Sequence, residues 1–223
     1  MNPGYIFDFN GTLFWDTDYH DEAWMLFSEK YNLKISREYL REKLHGKINR
    51  EIFKMILGSE ISDEKADALS EEKEQIYRNI VRGLKSGAHL AKGVERVLND
   101  LKSNGAAMAI ATSSPKVNVD FYKEIFQLSR WFPEDRIIFD DGTIKGKPAP
   151  DLFLLAAERL DLPPKECLVV EDSVTGIQSA LAAGIGKIYL ITSGNHLAWD
   201  YSDDSIEIIK DFTEFVPINL QNQ

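Results

Sequence analysis

Apolar residues recur at two different spacings along this chain, and the change of spacing divides it into two kinds of region. Between residues 14 and 91, apolar side chains such as Trp24 and Phe27 follow helical spacing, which predicts a series of helices. Ser36 and Ser62 stand where two of these helices would begin, because a serine hydroxyl satisfies free backbone N–H groups at a helix start. This region is therefore predicted to be helical throughout.

Outside that region, short apolar runs alternate with amphipathic segments. The runs span residues 5–7, 106–111, 136–139, 167–170 and 187–191, with 206–209 as a further edge strand. Runs that are apolar at nearly every position are typical of strands buried on both faces of a parallel sheet. Strands that alternate with helices predict a Rossmann-like, doubly wound α/β fold. The predicted domains are a core of residues 1–13 and 92–223 and an inserted helical domain of residues 14–91.

Composition argues against some classes of function. The 223 residues include 26 basic and 36 acidic side chains, for a net charge of −10, whereas a nucleic-acid-binding surface needs a basic face. No apolar stretch approaches the ~18 residues of a membrane span, and the N-terminus lacks a basic-then-apolar targeting signal. The single cysteine, Cys167, lies within an apolar run, so we expect a buried thiol and a reducing environment. These features predict a cytoplasmic protein, which we expect to be a monomer without nucleic-acid or membrane partners.

Charged and polar residues follow the predicted strands at the points where the strands end. Asp8 ends the first strand, Thr112 the second and the pair Glu171–Asp172 a later one, while Lys147 lies in a loop that prolines stiffen. Because ligands bind at the carboxyl ends of the strands in such sheets, we expect these side chains to meet. Three carboxylates at one edge repel one another, and a divalent cation with hard oxygen ligands, Mg²⁺, would hold them ionised.

Donors suited to the oxygens of a phosphate group accompany these carboxylates. They are the N–H groups and hydroxyl of the turn Asn10, Gly11 and Thr12, the hydroxyls of Thr112, Ser113 and Ser114, and the ammonium of Lys147. A single acid at the end of a strand is as often only a turn cap. Four such stretches in this order are a much more specific signal.

Together the stretches 8–12, 112–114, 147–151 and 171–173, with Gly176, resemble the motifs of the haloacid dehalogenase-like superfamily. The helical insertion resembles the cap domain of the subgroup that contains beta-phosphoglucomutase and small sugar-phosphate phosphatases. The resemblance spans nearly the whole chain.

The resemblance implies a role for each matching position in these motifs. Asp8 would be the nucleophile, which forms an aspartyl-phosphate. Mg²⁺ would be held by Asp8, the backbone carbonyl of Asn10 and Asp172, with Glu171 as a ligand or as a neighbour that supports the ligands. The groups that hold the phosphoryl oxygens would be Thr112 and Lys147.

Within the helical insertion, the resemblance implies several substrate-binding residues, although each of them also suits an ordinary structural role. His20 and Trp24 are four residues apart and share one helix face, but a surface histidine and a core tryptophan would have the same spacing. The resemblance also covers Gly46 and Arg50, and Lys73, one turn from Tyr77, would bind a distal phosphate or hydroxyl. A lysine on a long helix is more often part of a solvated face.

The sequence departs from the family pattern at Asn10. Phosphatases and mutases of the family usually carry a second Asp there as general acid and base, and a carboxamide cannot transfer a proton. Three interpretations remain: a working enzyme with a good leaving group or another proton donor, a long-lived phosphoenzyme that hydrolyses slowly, and an engineered substitution.

The sequence thus predicts a Mg²⁺-dependent phosphohydrolase that acts on a small phosphorylated metabolite, a sugar phosphate in particular, through Asp8. One alternative is a beta-phosphoglucomutase-like phosphomutase. The other is a protein that binds phosphorylated metabolites and no longer turns them over.

Overall fold

A computed structural model of the protein describes residues 3–44, 47–192 and 203–217, without the side chains of residues 41 and 42. The chain forms two compact units. The first consists of residues 1–15 and 89–223, and the second of residues 16–88. The predicted substrate-binding position Gly46 and the polar C-terminal tail lie outside the described residues.

The first unit contains a parallel sheet of six strands. The strands are β1 (Gly4–Phe7), β2 (Met108–Pro115), β3 (Ile137–Asp140), β4 (Cys167–Glu171), β5 (Lys187–Ile191) and β6 (Ile206–Ile209), in the order β3-β2-β1-β4-β5-β6. Every neighbouring pair in this order is parallel. The predicted doubly wound α/β fold is confirmed.

Helices cover this sheet because its strands bury side chains on both faces. Ile6 packs in a cluster with Leu152 and Ile177, and the neighbouring Phe7 packs against Phe132 and Phe212, since successive side chains of a strand point to opposite faces. The helices of this unit are α5 (Val94–Ser103), α6 (Lys116–Phe126), α7 (Asp151–Arg159) and α8 (Val174–Ala182).

Strand β2 differs from the prediction at both ends. It begins two residues later than expected and continues through Thr112 and Ser114 to Pro115, where a loop was predicted. Its pairing with β3 is irregular between Ala111 and Pro115, and the backbone N–H of Ser114 donates to Thr112 Oγ1 at 3.1 Å. Where the pairing with β3 is irregular, the Thr112 hydroxyl thus accepts from the backbone N–H of Ser114. The polar residues extend the strand instead of ending it.

The second unit is helical, as its sequence pattern predicts. Its helices are α1 (Thr17–Lys30), α2 (Arg37–Tyr39, continued by a π-helix, Leu40–Leu44), α3 (Asn49–Leu57) and α4 (Asp63–Arg82). Trp24, Phe27 and Phe53 pack ring against ring in its core. Ser36 and Ser62 accept hydrogen bonds from Tyr39 N and Lys65 N, which confirms the two predicted N-caps.

Two predictions from composition can be compared with the structure. Cys167 is fully buried in β4, and burial raises the pKa of its thiol to about 12, so it is a core residue and not a nucleophile. None of the helices within the described ranges is long and apolar enough to cross a membrane.

Candidate active site

The carboxyl ends of β1, β2 and β4 meet at one edge of the sheet. Phe7, the last residue of β1, lies beside Ile110 of β2 and Val170 of β4. Asp8 follows directly, and its backbone N–H donates to Val170 O at 3.0 Å. This register brings Asp8 beside Glu171, as their positions at the strand ends predict.

Lys147 joins two of the carboxylates. Its Nζ lies 2.6 Å from Asp8 Oδ1 and 2.6 Å from Glu171 Oε1, and the three side chains are at most 8% exposed. Carboxylate oxygens of Asp8, Glu171 and Asp172 all lie within 4.8 Å of one another. The cluster therefore holds three acidic groups against one ammonium.

The pKa values follow from burial and from this imbalance of charge. Burial raises the pKa of Asp8 to about 7; Lys147 opposes the rise and Glu171 adds to it. Burial, then Glu171 and then Asp8 raise the pKa of Asp172 well above its usual value. Burial alone would lower the pKa of Lys147, but Asp8 and Glu171 outweigh it and hold that pKa above its usual range. A further cation would relieve the repulsion among the carboxylates.

The donor set fits a hard divalent cation such as Mg²⁺. All the available ligand atoms are oxygens, which Mg²⁺ prefers. Glu171 already uses both of its oxygens: Oε1 accepts from Lys147, and Oε2 accepts from the backbone N–H groups of Asp172 and Ser173, each at 2.7 Å. From the described residues, Asp172 Oδ1 accepts one weak bond, from Thr12 Oγ1 at 3.3 Å. Asp8 and Asp172 are therefore the carboxylates better placed to hold a cation.

Two glycines make room for these carboxylates. A Cβ atom at Gly11, whose φ is +77°, would lie 2.0 Å from Asp172 Oδ2, and a Cβ at Gly176 would lie 1.8 Å from Glu171 Oε1. Both distances are far shorter than any side chain tolerates. The positive φ at Gly11 also belongs to a tight turn, in which Gly11 N donates to Phe14 O at 2.7 Å.

The side chain of Asn10 lies among hydroxyl groups. Asn10 Oδ1 accepts from Ser114 Oγ at 2.6 Å and from Thr112 Oγ1 at 3.3 Å, and Asn10 Nδ2 donates to the hydroxyl of Tyr122 at 2.8 Å. Two predicted phosphate donors, Thr112 and Ser114, are thus hydrogen-bonded to the residue that departs from the family pattern. Ser113, between them, is half-buried.

The helical unit holds a second group of buried polar side chains. Lys73 Nζ lies 2.8 Å from Glu74 Oε1 and 2.9 Å from His20 Nδ1. An ammonium can only donate, so His20 Nδ1 is the acceptor and its proton lies on Nε2, 3.4 Å from Asp16 Oδ2. Tyr77 donates to the same Asp16 carboxylate and stacks on His20.

The predicted substrate-binding residues of this unit are engaged within it. Trp24 belongs to the hydrophobic core of the helices, with the Lys73 ammonium 5.3 Å from its ring centre. Arg50 forms a two-pronged pair with Asp67, at 2.8 and 2.6 Å. Lys73 is 2% exposed, so it is not on the solvated face that its helical position also allowed.

Sequence reasoning missed two residues of these sites, Tyr122 and Glu74. Tyr122 appears in the sequence only as one aromatic residue in an amphipathic helix, and nothing in its spacing relates it to Asn10, 112 residues away. Glu74 is one of several acids on α4. Its distinguishing property is burial, which the sequence pattern does not mark.

A family model described as a haloacid dehalogenase-like hydrolase matches residues 3–184. The chain belongs to the haloacid dehalogenase-like hydrolases. The region matched includes all four motifs and the helical unit.

Relatives of the chain include named phosphatases and phosphomutases. A phosphorylated carbohydrates phosphatase of Thermotoga maritima is 30% identical over 188 residues, which cover 82% of each chain. A beta-phosphoglucomutase of Bacillus subtilis is 30% identical over 186 residues, covering 81% of this chain and 79% of the other. These relatives identify the protein as an enzyme of the family's phosphatase and phosphomutase branch.

A solved structure agrees with membership of the haloacid dehalogenase-like hydrolases. A haloacid dehalogenase-like hydrolase of family IA, variant 3, from Entamoeba histolytica is 35% identical and superposes with a TM-score of 0.86, covering 96% of this chain and 95% of the other.

Proposed function

We propose that the protein is a Mg²⁺-dependent phosphohydrolase that removes phosphate from a small phosphorylated metabolite, in particular a sugar phosphate. The observation that carries this proposal is Lys147, whose ammonium lies 2.6 Å from both Asp8 and Glu171 with Asp172 close by. One fixed cation among three carboxylates suits the binding of a phosphoryl group beside a metal ion.

In this proposal Asp8 is the nucleophile. An oxygen of its carboxylate attacks phosphorus, the bond from phosphorus to the leaving oxygen breaks, and the phosphoryl group remains on Asp8 as an acyl phosphate. Lys147 binds a phosphoryl oxygen and stabilises the charge that develops there. Water then attacks the phosphorus of this intermediate, which releases inorganic phosphate and restores the Asp8 carboxylate.

The metal would be held by Asp8, Asp172 and the backbone carbonyl of Asn10. When bound, Mg²⁺ would neutralise phosphoryl charge and lower the repulsion between Asp8 and the incoming anion. Glu171 supports this arrangement, since it holds Lys147 and the backbone of Asp172 in place.

Asn10 leaves the reaction without an acid at the usual position. A substrate whose leaving oxygen needs little protonation, or a proton donor elsewhere in the chain, would serve instead. His20 and Asp16 lie in the helical unit, which we propose to be the cap domain, and His20 Nε2 lies 3.4 Å from Asp16 Oδ2 there.

The cap favours a phosphatase over a phosphomutase. A phosphomutase handles substrates that are anionic at two positions and needs a second basic group for the distal phosphate. Lys73, which was predicted for that role, is paired with Glu74, and Arg50, the other basic residue predicted to bind substrate, is paired with Asp67. This pairing supports a substrate with a single phosphate.

The proposal is tested by a phosphatase and mutase screen over sugar phosphates in the presence of Mg²⁺, with the parent protein, Asp8→Asn and Asn10→Asp. We expect turnover that disappears in Asp8→Asn and after removal of the metal with a chelator, and that rises in Asn10→Asp by up to the ~10²–10⁴ that acid–base catalysis contributes. Asp100→Asn, which changes an exposed carboxylate paired with Arg96, is the matched control and should keep the parent rate.

An unchanged rate in Asp8→Asn would refute the nucleophile assignment. Conversion of one sugar phosphate into an isomer without release of phosphate would favour the phosphomutase. If neither the parent nor Asn10→Asp turns over any substrate, yet a sugar phosphate binds by calorimetry, the protein is a binding protein.

A further inference from the structure

The hydrogen bonds of Asn10 assign its two side-chain atoms to different parts of the core. Oδ1 accepts from Ser114 and Thr112 of β2, and Nδ2 donates to Tyr122 of α6. All three partners are hydroxyls, which can donate or accept, so both ends of the carboxamide are hydrogen-bonded to the protein. Asn10 therefore connects the turn after Asp8 to both β2 and α6.

Tyr122 is well placed to hold this connection rigidly. The residue is 1% exposed, and its ring stacks on Phe9 with the ring centres 4.3 Å apart and the planes at 18°. Phe9 lies between Asp8 and Asn10 in the chain. Tyr122 thus contacts the turn twice, through its ring and through its hydroxyl, and the ring packing determines where the hydroxyl lies.

We propose that Tyr122 is a positioning residue for the phosphoryl-transfer site, which acts by holding the Asn10 amide, and that the Asn10 side chain serves as a structural tie. This inference rests on the proposed function. It assigns to the Asn10 side chain the role of fixing the turn that carries the nucleophile, since its Nδ2 donates to Tyr122.

Two details of the turn support this role. Its own backbone bonds, Gly11 N to Phe14 O and Phe14 N to Phe9 O, close the turn on itself but do not attach it to the sheet. The hydroxyl of Thr12 links the turn to Asp172 by a long hydrogen bond of 3.3 Å. The Tyr122 hydroxyl bond to Asn10 is shorter, at 2.8 Å, and links the turn to a helix on the other side.

The test is a double-mutant cycle with Tyr122→Phe and Asn10→Ala, each measured for kcat and KM on the best monophosphate substrate. Tyr122→Phe keeps the ring on Phe9 and removes only the hydroxyl. The matched control is Tyr189→Phe, another buried tyrosine whose ring packs on Phe215 and whose hydroxyl donates to a backbone carbonyl, Val216 O, at 3.0 Å.

We expect Tyr122→Phe to lower kcat roughly 10- to 100-fold, since a small misplacement of reacting groups has costs of this size. Asn10→Ala should lower kcat at least as much, because it also removes the bonds to Ser114 and Thr112. KM should stay near the parent value, and the double variant should be no slower than Asn10→Ala, because that change already breaks the bond to Tyr122. Tyr189→Phe should lower the melting temperature about as much as Tyr122→Phe and leave kcat unchanged.

Two outcomes would overturn the inference. If the losses in kcat multiply in the double variant, Asn10 acts on the substrate independently of Tyr122. If Tyr122→Phe changes kcat no more than Tyr189→Phe does, the hydroxyl contributes only to folding.

If the proposed function is wrong, the parent shows no turnover that depends on Asp8. The effect of the hydrogen bond between Tyr122 and Asn10 is then measured through the rise in melting temperature on addition of Mg²⁺. Tyr122→Phe should reduce that rise and Tyr189→Phe should not, while equal rises in both would overturn the inference.

Discussion

The protein buries two lysines among carboxylates, and their surroundings differ in net charge. Lys73, in the helical unit, pairs with the adjacent Glu74 at 2.8 Å, and both side chains are almost inaccessible. Lys147, in the sheet unit, contacts Asp8 and Glu171 and has Asp172 close by. The first ammonium contacts one carboxylate, with that of Asp16 on the far side of His20, whereas the second contacts two carboxylates and has a third close by.

This difference separates a structural ion pair from a site built for a ligand. A buried pair of one lysine and one carboxylate requires no further ion, but removal of either partner destabilises the fold. A cluster with excess negative charge is incomplete without a cation. Burial is the main cause of the raised pKa of Asp8 and of Asp172, and the negative charge of Glu171 adds to both. Burial and proximity alone do not distinguish the two lysines, whereas the local sum of charges does.

The largest effect is expected from Lys147→Gln. The change removes the ammonium that we propose binds the phosphoryl oxygens, and it leaves Asp8 and Glu171 without their shared partner. We expect kcat/KM to fall by ~10³ or more, in line with the loss of a donor that stabilises transition-state charge. Lys30→Gln, at a 61% exposed lysine paired with Glu72, should keep the parent activity. If Lys147→Gln remained within a few-fold of the parent, the charge-excess cluster would not be the catalytic centre.

Glu74→Gln tests the other side of the comparison. It leaves an acceptor for Asn49, which donates to Glu74 Oε1 at 2.6 Å, but it leaves the Lys73 charge buried without its partner. We expect the free energy of unfolding in urea to fall by about 3 kcal/mol, the usual cost of breaking a buried pair from one side. Glu72→Gln, on the same helix but in the surface pair with Lys30, should unfold like the parent. Equal stability of the two variants would contradict the view that Lys73 depends on Glu74.

Gly176→Ala would test how closely the carboxylates of the core must pack. The new Cβ would lie 1.8 Å from Glu171 Oε1, so Glu171 must move and its bond to Lys147 must change. We expect a loss of about 1–3 kcal/mol in stability together with weaker turnover. Gly83→Ala is the matched control, because the nearest atom to its Cβ would be Asn79 O at 3.3 Å. A Gly176→Ala variant with parent-like turnover would show that Glu171 need not hold Lys147 in place.

Much of this architecture could be predicted from the sequence because it depends on short-range regularities. The strands, the helices and the meeting of Asp8 with Glu171 follow from periodicity and from the rule that parallel strands end at one edge. The pair formed by Lys73 and Glu74 could not be predicted in this way, since adjacent residues on a helix do not face each other. The contact of Tyr122 with Asn10 could not be predicted from the sequence either, because it depends on the packing of the Tyr122 ring against Phe9.

The smallest effect, and the one that examines the charge excess most directly, is the pH dependence of Mg²⁺ binding. Without metal, burial raises the pKa of Asp8 to about 7, and Asp172 is raised in the same direction. Metal ligands must be deprotonated, so the apparent affinity for Mg²⁺ should fall by about tenfold for each proton and each unit of pH below 7.

The same groups set the pH dependence of stability, with opposite signs without and with metal. As pH rises from about 4 to about 7, the unfolded chain releases protons that the folded, metal-free site still holds, so the free energy of unfolding falls across this window. Mg²⁺ binds more tightly as pH rises and should reverse the trend. Urea unfolding at pH 5 to 8, with and without Mg²⁺, measures both effects, and Asp8→Asn should flatten each of them. A metal-free protein whose stability rises over this window would mean that the buried carboxylates are already ionised and that Lys147 alone balances their charge.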